Sequence, residues 1–303
     1  MKIGVIGIGD IAQKAYLPIL AQTKGIEVCM CTRNKKTLHD LRERYRFTYS
    51  CQQVDQLISQ GIHAAFVHSS TASHEAIIDQ LLDHDIHVYV DKPITYNGSS
   101  SKRLIEKAQR KGLVLMVGFN RRYAPPYQSL GEIPNPNMIL MKKNRGHHAV
   151  GSRTFIFDDF IHVIDTVLHL FPYQIEETQI SGKLVEDDLH SVVIQLQAIE
   201  GIAIGIMNRE AGTTEERLEV MNEEETRIVE NVSEVFSHQN KSIQKYPVDD
   251  WEPTLHKRGF YAIVESFLAS VRKEKGTYIG YEKDLKSHLL AEKIVNRLEK
   301  KDK

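Results

Sequence analysis

The sequence predicts an α/β protein in which a doubly wound parallel sheet precedes an antiparallel meander. Apolar strand-like runs alternate with helical patterns six times up to Val117, as expected for βαβ units. A glycine, a polar and aromatic cluster and two prolines then interrupt the alternation over residues 118–126. Short strand-like runs separated by turn residues follow over residues 174–248, which is the pattern of a meander. We therefore predict two domains, residues 1–120 and residues 121–303.

Length, charge and cysteine content narrow the class of protein. A chain of 303 residues favours two domains over one. Its 39 Lys and Arg residues balance 40 Asp and Glu residues, so no basic excess points to a nucleic-acid partner. No apolar run approaches the roughly 20 residues of a membrane span, so we expect no membrane partner. Cys29, Cys31 and Cys51 lack metal spacing and suggest reduced thiols, and with no signal-peptide pattern we expect a cytoplasmic protein without a metal.

The first strand-like run, Lys2 to Ile6, leads into a glycine loop and then a helical pattern. Strand, Gly-x-Gly-x-x-Ala and helix in this order indicate dinucleotide binding, because the glycines allow a tight turn and close approach of a pyrophosphate. The alternative is an ordinary tight turn that carries two glycines. Pro18 should kink the helix that follows. We assign five loop residues to cofactor binding, namely Gly7, Gly9, Asp10, Ile11 and Ala12.

The second strand, Ile26 to Cys31, ends in Thr32, Arg33 and Asn34, with Lys35 and Lys36 close behind. An NAD-binding protein usually has Asp or Glu here to bind the ribose 2′-hydroxyl. A hydroxyl and a guanidinium would instead bind a 2′-phosphate. We therefore assign Thr32 and Arg33 to the cofactor and predict NADP(H) in preference to NAD(H). The alternative is that the basic residues only form a solvated helix start.

The fourth strand, His63 to Val67, opens into a stretch rich in small hydroxyl residues. Such residues at the carboxyl end of a strand suit close approach of a cofactor, and we assign Ser69, Ser70 and His74 to it. The alternative is that the hydroxyl residues only cap the next helix. We expect His74 to be structural rather than catalytic.

Asp91, Lys92 and Pro93 follow the fifth strand, which ends at Val90. Ligands bind at this edge of an open parallel sheet, and a proline ends the ladder there. We therefore predict that Lys92 faces a bound substrate and that Asp91 and Lys92 border the cofactor. The segment after the sixth strand reaches the same edge, so we assign Asn120 to the cofactor and Arg121 and Tyr123 to the substrate.

In the second half, a helix predicted from Asp158 to Phe171 carries the titratable residues Asp158, His162 and Asp165. Their i, i+4 and i+7 spacing places them on one helical face. Histidine exchanges protons near neutral pH, and a carboxylate one turn away can orient it. Two alternatives remain, a metal shared by Asp158 and His162, and a purely structural histidine.

Three further predictions concern the second half of the chain. Residues 144–154 read as a polar, mobile loop that contains His147 and His148. Trp251 either lines the rim of a cleft or packs against its own loop. Two helices, over residues 254–273 and 281–298, close the chain.

Taken together, these motifs resemble those of the Gfo/Idh/MocA oxidoreductase family. The glycine loop is similar to its nucleotide loop, and Asp91-Lys92-Pro93 resembles its Glu-Lys-Pro signature. The helix motif Asp158-x-x-x-His162-x-x-Asp165 resembles its Asp-x-Gly-x-His-x-x-Asp motif, with Phe160 in place of glycine. Within the family, the chain looks most like the MviM-type branch. The resemblance implies a Rossmann domain, then an α+β domain with a large, mostly antiparallel open sheet, and homodimers or homotetramers built on that sheet.

The resemblance also implies hydride transfer between a nicotinamide cofactor and a polyol, sugar or sugar derivative. Lys92 would bind the reacting hydroxyl, His162 would be the general acid and base, and Asp158 would bind a substrate hydroxyl or tune His162. The alternative is a non-catalytic NADP(H)-binding regulatory or redox-responsive protein, favoured by the bulk of Phe160 and by a blocking loop at His147 and His148. A methyltransferase with a similar glycine loop does not fit Lys92, Pro93 and His162.

Overall fold

The computed structural model describes residues 1–146, 149–247, 249, 251–273, 278 and 280–300. The predicted gating residues His147 and His148 lie outside these ranges. The described chain divides into two compact units. The first unit comprises residues 1–118 and 261–285, and the second comprises residues 119–260 and the described residues from 286 onward.

The first unit is built on a fully parallel six-stranded sheet with the order β3-β2-β1-β4-β5-β6. The strand order reverses between β1 and β4, so the carboxyl ends of these two strands mark the switch point where such sheets bind ligands. The predicted doubly wound sheet is confirmed. Its strands are β1 (Lys2–Ile6), β2 (Glu27–Cys31), β3 (Tyr49–Cys51), β4 (Ala64–Val67), β5 (His87–Val90) and β6 (Leu115–Val117).

The second unit is built on a large, mostly antiparallel sheet, as predicted. Its order is β15-β14-β13-β12-β7-β11-β10-β8, with β9 paired to β10, and only the β7–β11 pair is parallel among the described strands. The strands are β7 (Met138–Asn144), β8 (Val150–Gly151), β9 (Glu177–Val185), β10 (Asp188–Gln197), β11 (Ile202–Asn208), β12 (Glu215–Met221), β13 (Thr226–Glu230), β14 (Glu234–Gln239) and β15 (Ser242–Lys245).

Helices and helical turns connect the strands. Two π turns, Ala12–Tyr16 and Ile156–Phe160, and a 3-10 turn, Asn120–Tyr123, lie among the described residues. The α-helices are α1 (Leu17–Gln22), α2 (Lys35–Tyr45), α3 (Val54–Ser59), α4 (Thr71–Asp83), α5 (Gly98–Arg110), α6 (Pro125–Leu130), α7 (Ser152–Phe155), α8 (Ile161–Leu170), α9 (Thr254–Lys257), α10 (Phe260–Val271) and α11 (Tyr281–Glu299).

The segment Tyr261–Leu285 differs from the predicted division, because its contacts are with the first unit. Phe267 on α10 packs edge-on against Phe66 and Tyr89, with ring centroids 5.1 and 5.5 Å apart. The Tyr281 hydroxyl donates a hydrogen bond to the Leu113 carbonyl oxygen. Burial of these aromatic rings explains why a segment late in the sequence completes the first core.

Two segments in the second half of the sequence differ from the prediction. The loop expected over residues 144–154 contains β8 and most of α7. The closing helix expected over residues 254–273 is divided into α9 and α10 at Gly259, which has a positive φ of 78°. A Cβ at this position would lie 2.4 Å from the Asn120 carbonyl oxygen, so only glycine fits.

One face of the large sheet packs on α8. A Cβ at Gly205 on β11 would lie 2.8 Å from Val163 on α8, so the absence of a side chain allows this close approach. Over the described ranges, no helix combines the length and the hydropathy needed to cross a membrane.

Candidate functional site

The glycine loop of the first unit lies at the carboxyl end of β1. Gly7 has a φ of 79°, and a Cβ there would lie 2.3 Å from the Ser69 amide nitrogen, so the position requires glycine. A Cβ at Gly9 would meet no protein atom within 4 Å. Gly7 is therefore required by the protein itself, whereas the space at Gly9 is available to a ligand. This geometry fits the pyrophosphate of a dinucleotide, and Gly7 and Gly9 would lie against it.

The remaining loop residues have distinct environments. Ala12 is fully buried, whereas Ile11 and Asp10 are exposed. Asp10 pairs with Lys14 at 2.8 Å. The irregularity expected at Pro18 takes the form of the π turn, after which Pro18 occupies the first turn of α1, where its missing N–H is harmless.

Exposed basic side chains follow β2. Arg33, Lys35 and Lys36 are all exposed, and no ion pair involves them in the described part of the chain. Two hydrogen bonds to backbone carbonyl oxygens order the loop. The Thr32 amide donates to Cys51 at 3.2 Å, and the Gln52 side chain donates from Nε2 to Arg33 at 2.8 Å. The predicted 2′-phosphate residues therefore present free hydroxyl and guanidinium groups from an ordered turn.

In the loop after β4, the serine side chains form hydrogen bonds mainly with one another and with the backbone of the same loop. Ser73 Oγ donates to Ser69 Oγ at 2.8 Å and lies 2.8 Å from the Ser70 carbonyl oxygen. Ser70 is the N-cap residue of α4, but its side chain makes no capping hydrogen bond. The capping alternative is therefore wrong for the Ser70 side chain, which is exposed at the ligand edge.

His74 joins the loops that follow β4 and β5. It is buried, with Nδ1 2.9 Å from the Pro93 carbonyl oxygen and Nε2 3.0 Å from the Ser69 carbonyl oxygen. Both ring nitrogens thus face the backbone. A direct cofactor contact through them, which the sequence suggested, does not fit this geometry, whereas the expected structural role does.

Lys92 lies in the loop that His74 holds. Its amide donates to Asp91 Oδ1 at 3.0 Å, its side chain is half-buried, and the Lys92–Pro93 peptide bond is cis. The Asp91 amide donates to the Val67 carbonyl oxygen at 2.9 Å, which brings the ends of β4 and β5 together. Lys92 therefore lies at the carboxyl edge of the sheet, as predicted.

His68, which the sequence analysis did not single out, also lies at this edge. Its ring packs on Tyr16 with centroids 4.0 Å apart, and neither ring nitrogen has a hydrogen-bond partner among the described residues. Burial, together with nearby His74, lowers the pKa of His68 to about 3. The ring is therefore neutral at pH 7. In the sequence, the position of His68 directly after an apolar strand could have indicated that it lies at this edge of the sheet.

In the second unit, the predicted single helix is interrupted. Asp158 lies in the π turn Ile156–Phe160, whereas His162 and Asp165 lie in α8. A π turn adds a residue to one turn, so the regular spacing that placed all three on one face does not apply to Asp158. Asp158 and His162 are both half-buried.

Asp165 and Phe160 are both buried in the second unit and contact other parts of it. Asp165 is 1% exposed and accepts hydrogen bonds from Arg122 Nε at 3.0 Å and Ser287 Oγ at 2.8 Å. The Asp165 carboxylate is therefore engaged by Arg122 and Ser287. Phe160 is fully buried, as is Phe157, so its ring belongs to the apolar core of this unit.

The residues after β6 are largely committed to internal contacts. Asn120 Nδ2 donates to the Arg258 carbonyl oxygen at 2.8 Å, and Arg121 donates from Nε and Nη2 to Glu216, each at 2.6 Å. These bonds engage Nδ2 of Asn120 and Nε and Nη2 of Arg121, while the cofactor contact of Asn120 and the substrate contact of Arg121 stay predictions. Tyr123 is half-buried.

Arg121 belongs to a buried ionic network that the sequence did not reveal. The Tyr127 hydroxyl also donates to Glu216, at 2.6 Å. Asp159 accepts from Lys143 and Arg145 and from Arg209 Nη2 at 3.0 Å. We call the charged members the ionic network, namely Arg121, Lys143, Arg145, Asp159, Arg209 and Glu216.

The pKa values follow from these contacts. Burial alone would raise the pKa of Glu216, but the charge and hydrogen bonds of Arg121 outweigh it and lower the pKa to about 2. For Asp159, Lys143 and Arg145 outweigh burial in the same way and hold its pKa well below the usual range. Burial, reinforced by the charge of Arg121, lowers the pKa of Lys143 to about 7. Both carboxylates are therefore ionised at neutral pH.

Trp251 is 92% exposed, so it does not pack against its own loop. It lines a pocket of about 710 Å³ within the second unit, together with Pro126, Arg227, Tyr246 and His256. Among the described residues, no group of three or more His, Cys, Asp or Glu side chains could hold a metal ion.

Comparison with known proteins identifies the family. The GFO_IDH_MocA family model, described as an oxidoreductase family with an NAD-binding Rossmann fold, matches residues 1–119. A model for the YceM-like C-terminal domain matches residues 125–240.

Three relatives match most of the chain. "Putative oxidoreductase YceM" of Salmonella typhimurium is 33% identical over 289 residues, which cover 90% of each chain. Myo-inositol 2-dehydrogenase of Thermotoga maritima is 23% identical and covers 92% of this chain and 87% of its own. The solved structure of the dehydrogenase MviM from Clostridium difficile is 31% identical, with a TM-score of 0.93, and covers 98% of this chain and 99% of its own. The chain therefore belongs to the Gfo/Idh/MocA family of oxidoreductases, within which it is similar to the MviM-type branch.

Proposed function

We propose that this protein transfers a hydride between a nicotinamide cofactor and a CH–OH group of a polyol, sugar or sugar derivative. One observation carries the proposal. The open space at Gly9 follows β1, which borders the switch point, and Lys92 follows β5 at the same carboxyl edge of the parallel sheet. A relative along most of the chain is named for its action on myo-inositol, which supports a polyol-like substrate.

The proposed cofactor is NADP(H) in preference to NAD(H). The exposed side chains of Arg33, Lys35 and Lys36 support this choice, because a dianionic 2′-phosphate would gain charge-assisted hydrogen bonds there. Thr32 and Arg33 replace the acidic residue that would bind a ribose hydroxyl. Ser69 and Ser70 lie at the adjoining edge and complete the proposed cofactor contacts with Gly7 and Gly9.

The bound nicotinamide would supply the hydride chemistry, and the protein supplies position and proton transfer. We assign Lys92 to the reacting hydroxyl, because an ammonium stabilises the negative charge that develops on oxygen. His162 would exchange the hydroxyl proton as general acid and base. Asp158 would bind a neighbouring substrate hydroxyl, and Tyr123 would line the substrate site. Arg121, which binds Glu216 through Nε and Nη2, would contact the substrate through its remaining N–H donors.

We also propose that two copies associate through the open face of the large sheet. Because Gly205 faces α8, the alternating residues Ile204 and Ile206 face the opposite side, and both are only half-buried. Val193 and Met138 extend this face and are 38% and 37% exposed. Light scattering during gel filtration should show a dimer or tetramer for the wild type and a monomer for the Ile204→Glu, Ile206→Glu double variant.

A panel of polyols, sugars and sugar derivatives, followed by the absorbance of reduced nicotinamide, tests the main proposal. Turnover of at least one panel member with NADP⁺ or NADPH is the expected result. Tight NADP(H) binding without turnover of any member would overturn the enzymatic proposal and favour the non-catalytic alternative.

A further inference from the structure

We propose that the pocket beside Trp251, in the second unit, binds a neutral sugar ring, the second unit of an extended substrate such as a disaccharide. The pocket has a volume of about 710 Å³, which lies within the range of about 300–1,000 Å³ typical of small-molecule sites. The assignment of this ring to the substrate rests on the proposed function. The binding itself is argued from the lining residues and can be tested without turnover.

Trp251 supplies an aromatic face that the protein leaves uncovered. The residue is 92% exposed, far more than is usual for so large an apolar group. Four proline rings and Tyr246 line the same pocket, and Tyr246 is 37% exposed. Flat apolar rings of this kind pack against the C–H face of a sugar ring, whereas a linear polyol presents no such face.

The turn that carries Trp251 is held in place by hydrogen bonds. Oδ1 of Asp249 accepts from the Trp251 amide at 2.9 Å. The Asp249 carbonyl oxygen accepts from the Glu252 amide at 3.2 Å and from Lys257 Nζ at 3.2 Å. The indole therefore projects from a turn whose backbone is fixed.

Carboxylates around the rings supply acceptors for hydroxyl groups. Glu132, Asp249 and Glu252 all line the pocket. Asp249 uses Oδ1 for the Trp251 amide and Glu252 uses Oε1 for the His256 ring, and each carboxylate keeps further lone pairs. A sugar ring would thus pack its face on the apolar rings and donate hydrogen bonds from the hydroxyl groups at its edge.

The charges of the lining residues disfavour an anionic ligand, because a phosphate or carboxylate would be repelled by the three carboxylates. Arg227 also lines the pocket, but its guanidinium binds Glu225 through Nε at 2.8 Å and through Nη2 at 3.0 Å. Its Nη1 donates to Glu132 at 3.2 Å. The charge of Arg227 is therefore compensated within the protein.

The arrangement of the rings disfavours a cationic ligand. The carboxylates would attract a cation, but an ammonium group binds best over open aromatic faces. The Arg227 guanidinium already lies 5.9 Å from the centroid of the Tyr246 ring. A second cation near this ring would be repelled by the first, so a neutral ligand fits the pocket best.

The pocket continues from the turn that contains Tyr123, which we assign to the substrate. Helix α6 begins at Pro125, two residues after Tyr123, and Pro125 lines the pocket. His256 on α9 also lines it, and a Cβ at Gly259, just beyond that helix, would lie 2.6 Å from the Tyr123 carbonyl carbon. The pocket and Tyr123 thus share two segments of the chain, so an extended substrate could reach both.

Fluorescence of Trp251 reports on this pocket alone, because Trp251 is the only tryptophan in the chain. The full chain is titrated with cellobiose, maltose, glucose, sorbitol and choline. We expect at least one disaccharide to shift the emission to shorter wavelength in a saturable manner, because a sugar that covers the indole removes it from water. Sorbitol has hydroxyl groups but no ring, and it should bind at least about tenfold more weakly.

Calorimetric titration of variants with the preferred disaccharide identifies the contacts. Trp251→Ala should weaken binding about tenfold, and Trp251→Phe, which keeps an aromatic ring, should retain most of the affinity. Asp249→Asn should also weaken binding about tenfold, because asparagine keeps an acceptor for the Trp251 amide but lacks the charge. Ile199→Ala is the matched control, since Ile199 is 84% exposed in the same unit but lies outside the pocket. Circular dichroism confirms that each variant is folded.

The absence of a saturable shift with every sugar, tighter binding of choline than of the sugars, or unchanged disaccharide affinity in Trp251→Ala would overturn the inference. Turnover of monosaccharides without any binding of disaccharides would overturn it while leaving the oxidoreductase proposal intact. Disaccharide binding that depends on Trp251, without turnover of any substrate, would support the sugar pocket and count against the oxidoreductase.

Discussion

Arg122 holds the buried carboxylate of Asp165, with its Nε 3.0 Å from Oδ2, and so ties the turn after β6 to α8. The two side chains are 11% and 1% exposed. This pair removes Asp165 from the group of titratable residues that the helix was expected to display. It also joins the start of the second unit to α8, beside the contacts that Asn120 and Arg121 make.

Loss of Asp165 should strongly destabilise the protein. In Asp165→Ala, the Arg122 guanidinium would remain buried without its carboxylate, which costs roughly 3–5 kcal/mol. Urea unfolding followed by circular dichroism measures the change. Glu75→Gln is the control, because its pair with Arg103 is largely exposed and should contribute less than about 1 kcal/mol. Equal effects of the two substitutions would contradict the structural role.

Replacing each of the two loop glycines by alanine should affect different properties, stability for Gly7 and cofactor binding for Gly9. Gly7→Ala should lower the free energy of unfolding by more than about 1 kcal/mol, because the residue has a positive φ and its Cβ would strike Ser69. Gly9→Ala should leave stability nearly unchanged and weaken cofactor binding, because its Cβ would occupy only the space that we assign to the pyrophosphate. Urea unfolding and NADPH fluorescence titration provide the two measurements. Full NADPH affinity in Gly9→Ala would argue against the assigned binding site.

Arg33 should determine the choice between the two nicotinamide cofactors. Arg33→Ala should weaken NADPH binding by about 10- to 100-fold, the value of one charged hydrogen bond, and leave NADH binding nearly unchanged. Fluorescence titration of both cofactors measures the ratio, and Arg42→Ala, an exposed arginine farther along α2, is the control. Tighter binding of NADH than NADPH to the wild type would disprove the proposed preference.

His162 should affect turnover without affecting cofactor binding. His162→Asn is expected to lower kcat by about 10²–10⁴-fold, because the substitution removes the acid and base. His169→Asn, at an exposed position on the same helix, should retain full activity. Steady-state kinetics and NADPH titration test both variants. Wild-type kcat in His162→Asn would exclude the assigned role.

His68 should make stability depend on pH under mildly acidic conditions. Its pKa is lowered from 6.5 to about 3 in the folded protein, so between these values the unfolded chain binds a proton that the folded chain does not. Stability therefore falls as the pH decreases through 6.5, and the loss stops near pH 3. Between pH 7 and pH 5 this contribution is about 2 kcal/mol.

The His68→Phe variant tests this linkage, because phenylalanine keeps an aromatic ring beside Tyr16 but cannot bind a proton. Its stability loss from pH 7 to pH 5 should be smaller than that of the wild type by about 2 kcal/mol. Urea unfolding at both pH values measures the difference. His39→Phe, at an exposed position, should follow the wild type. An unchanged pH dependence in His68→Phe would show that the buried ring does not control it.

The sequence by itself determined the features that depend on neighbours along the chain. The turn at Gly7, the strand that ends before Lys92 and the change from alternating helices and strands to a meander all follow from local sterics and hydrophobic periodicity. Tertiary structure alone decided which polar side chains remain available for chemistry. Arg121, Asn120, Asp165 and His74 all looked available in the sequence, yet each is held by a partner that is distant in the chain or by backbone carbonyls. Asp159 became the centre of the ionic network for the same reason, because ion pairing depends on distance in space and on burial, which sequence spacing does not encode.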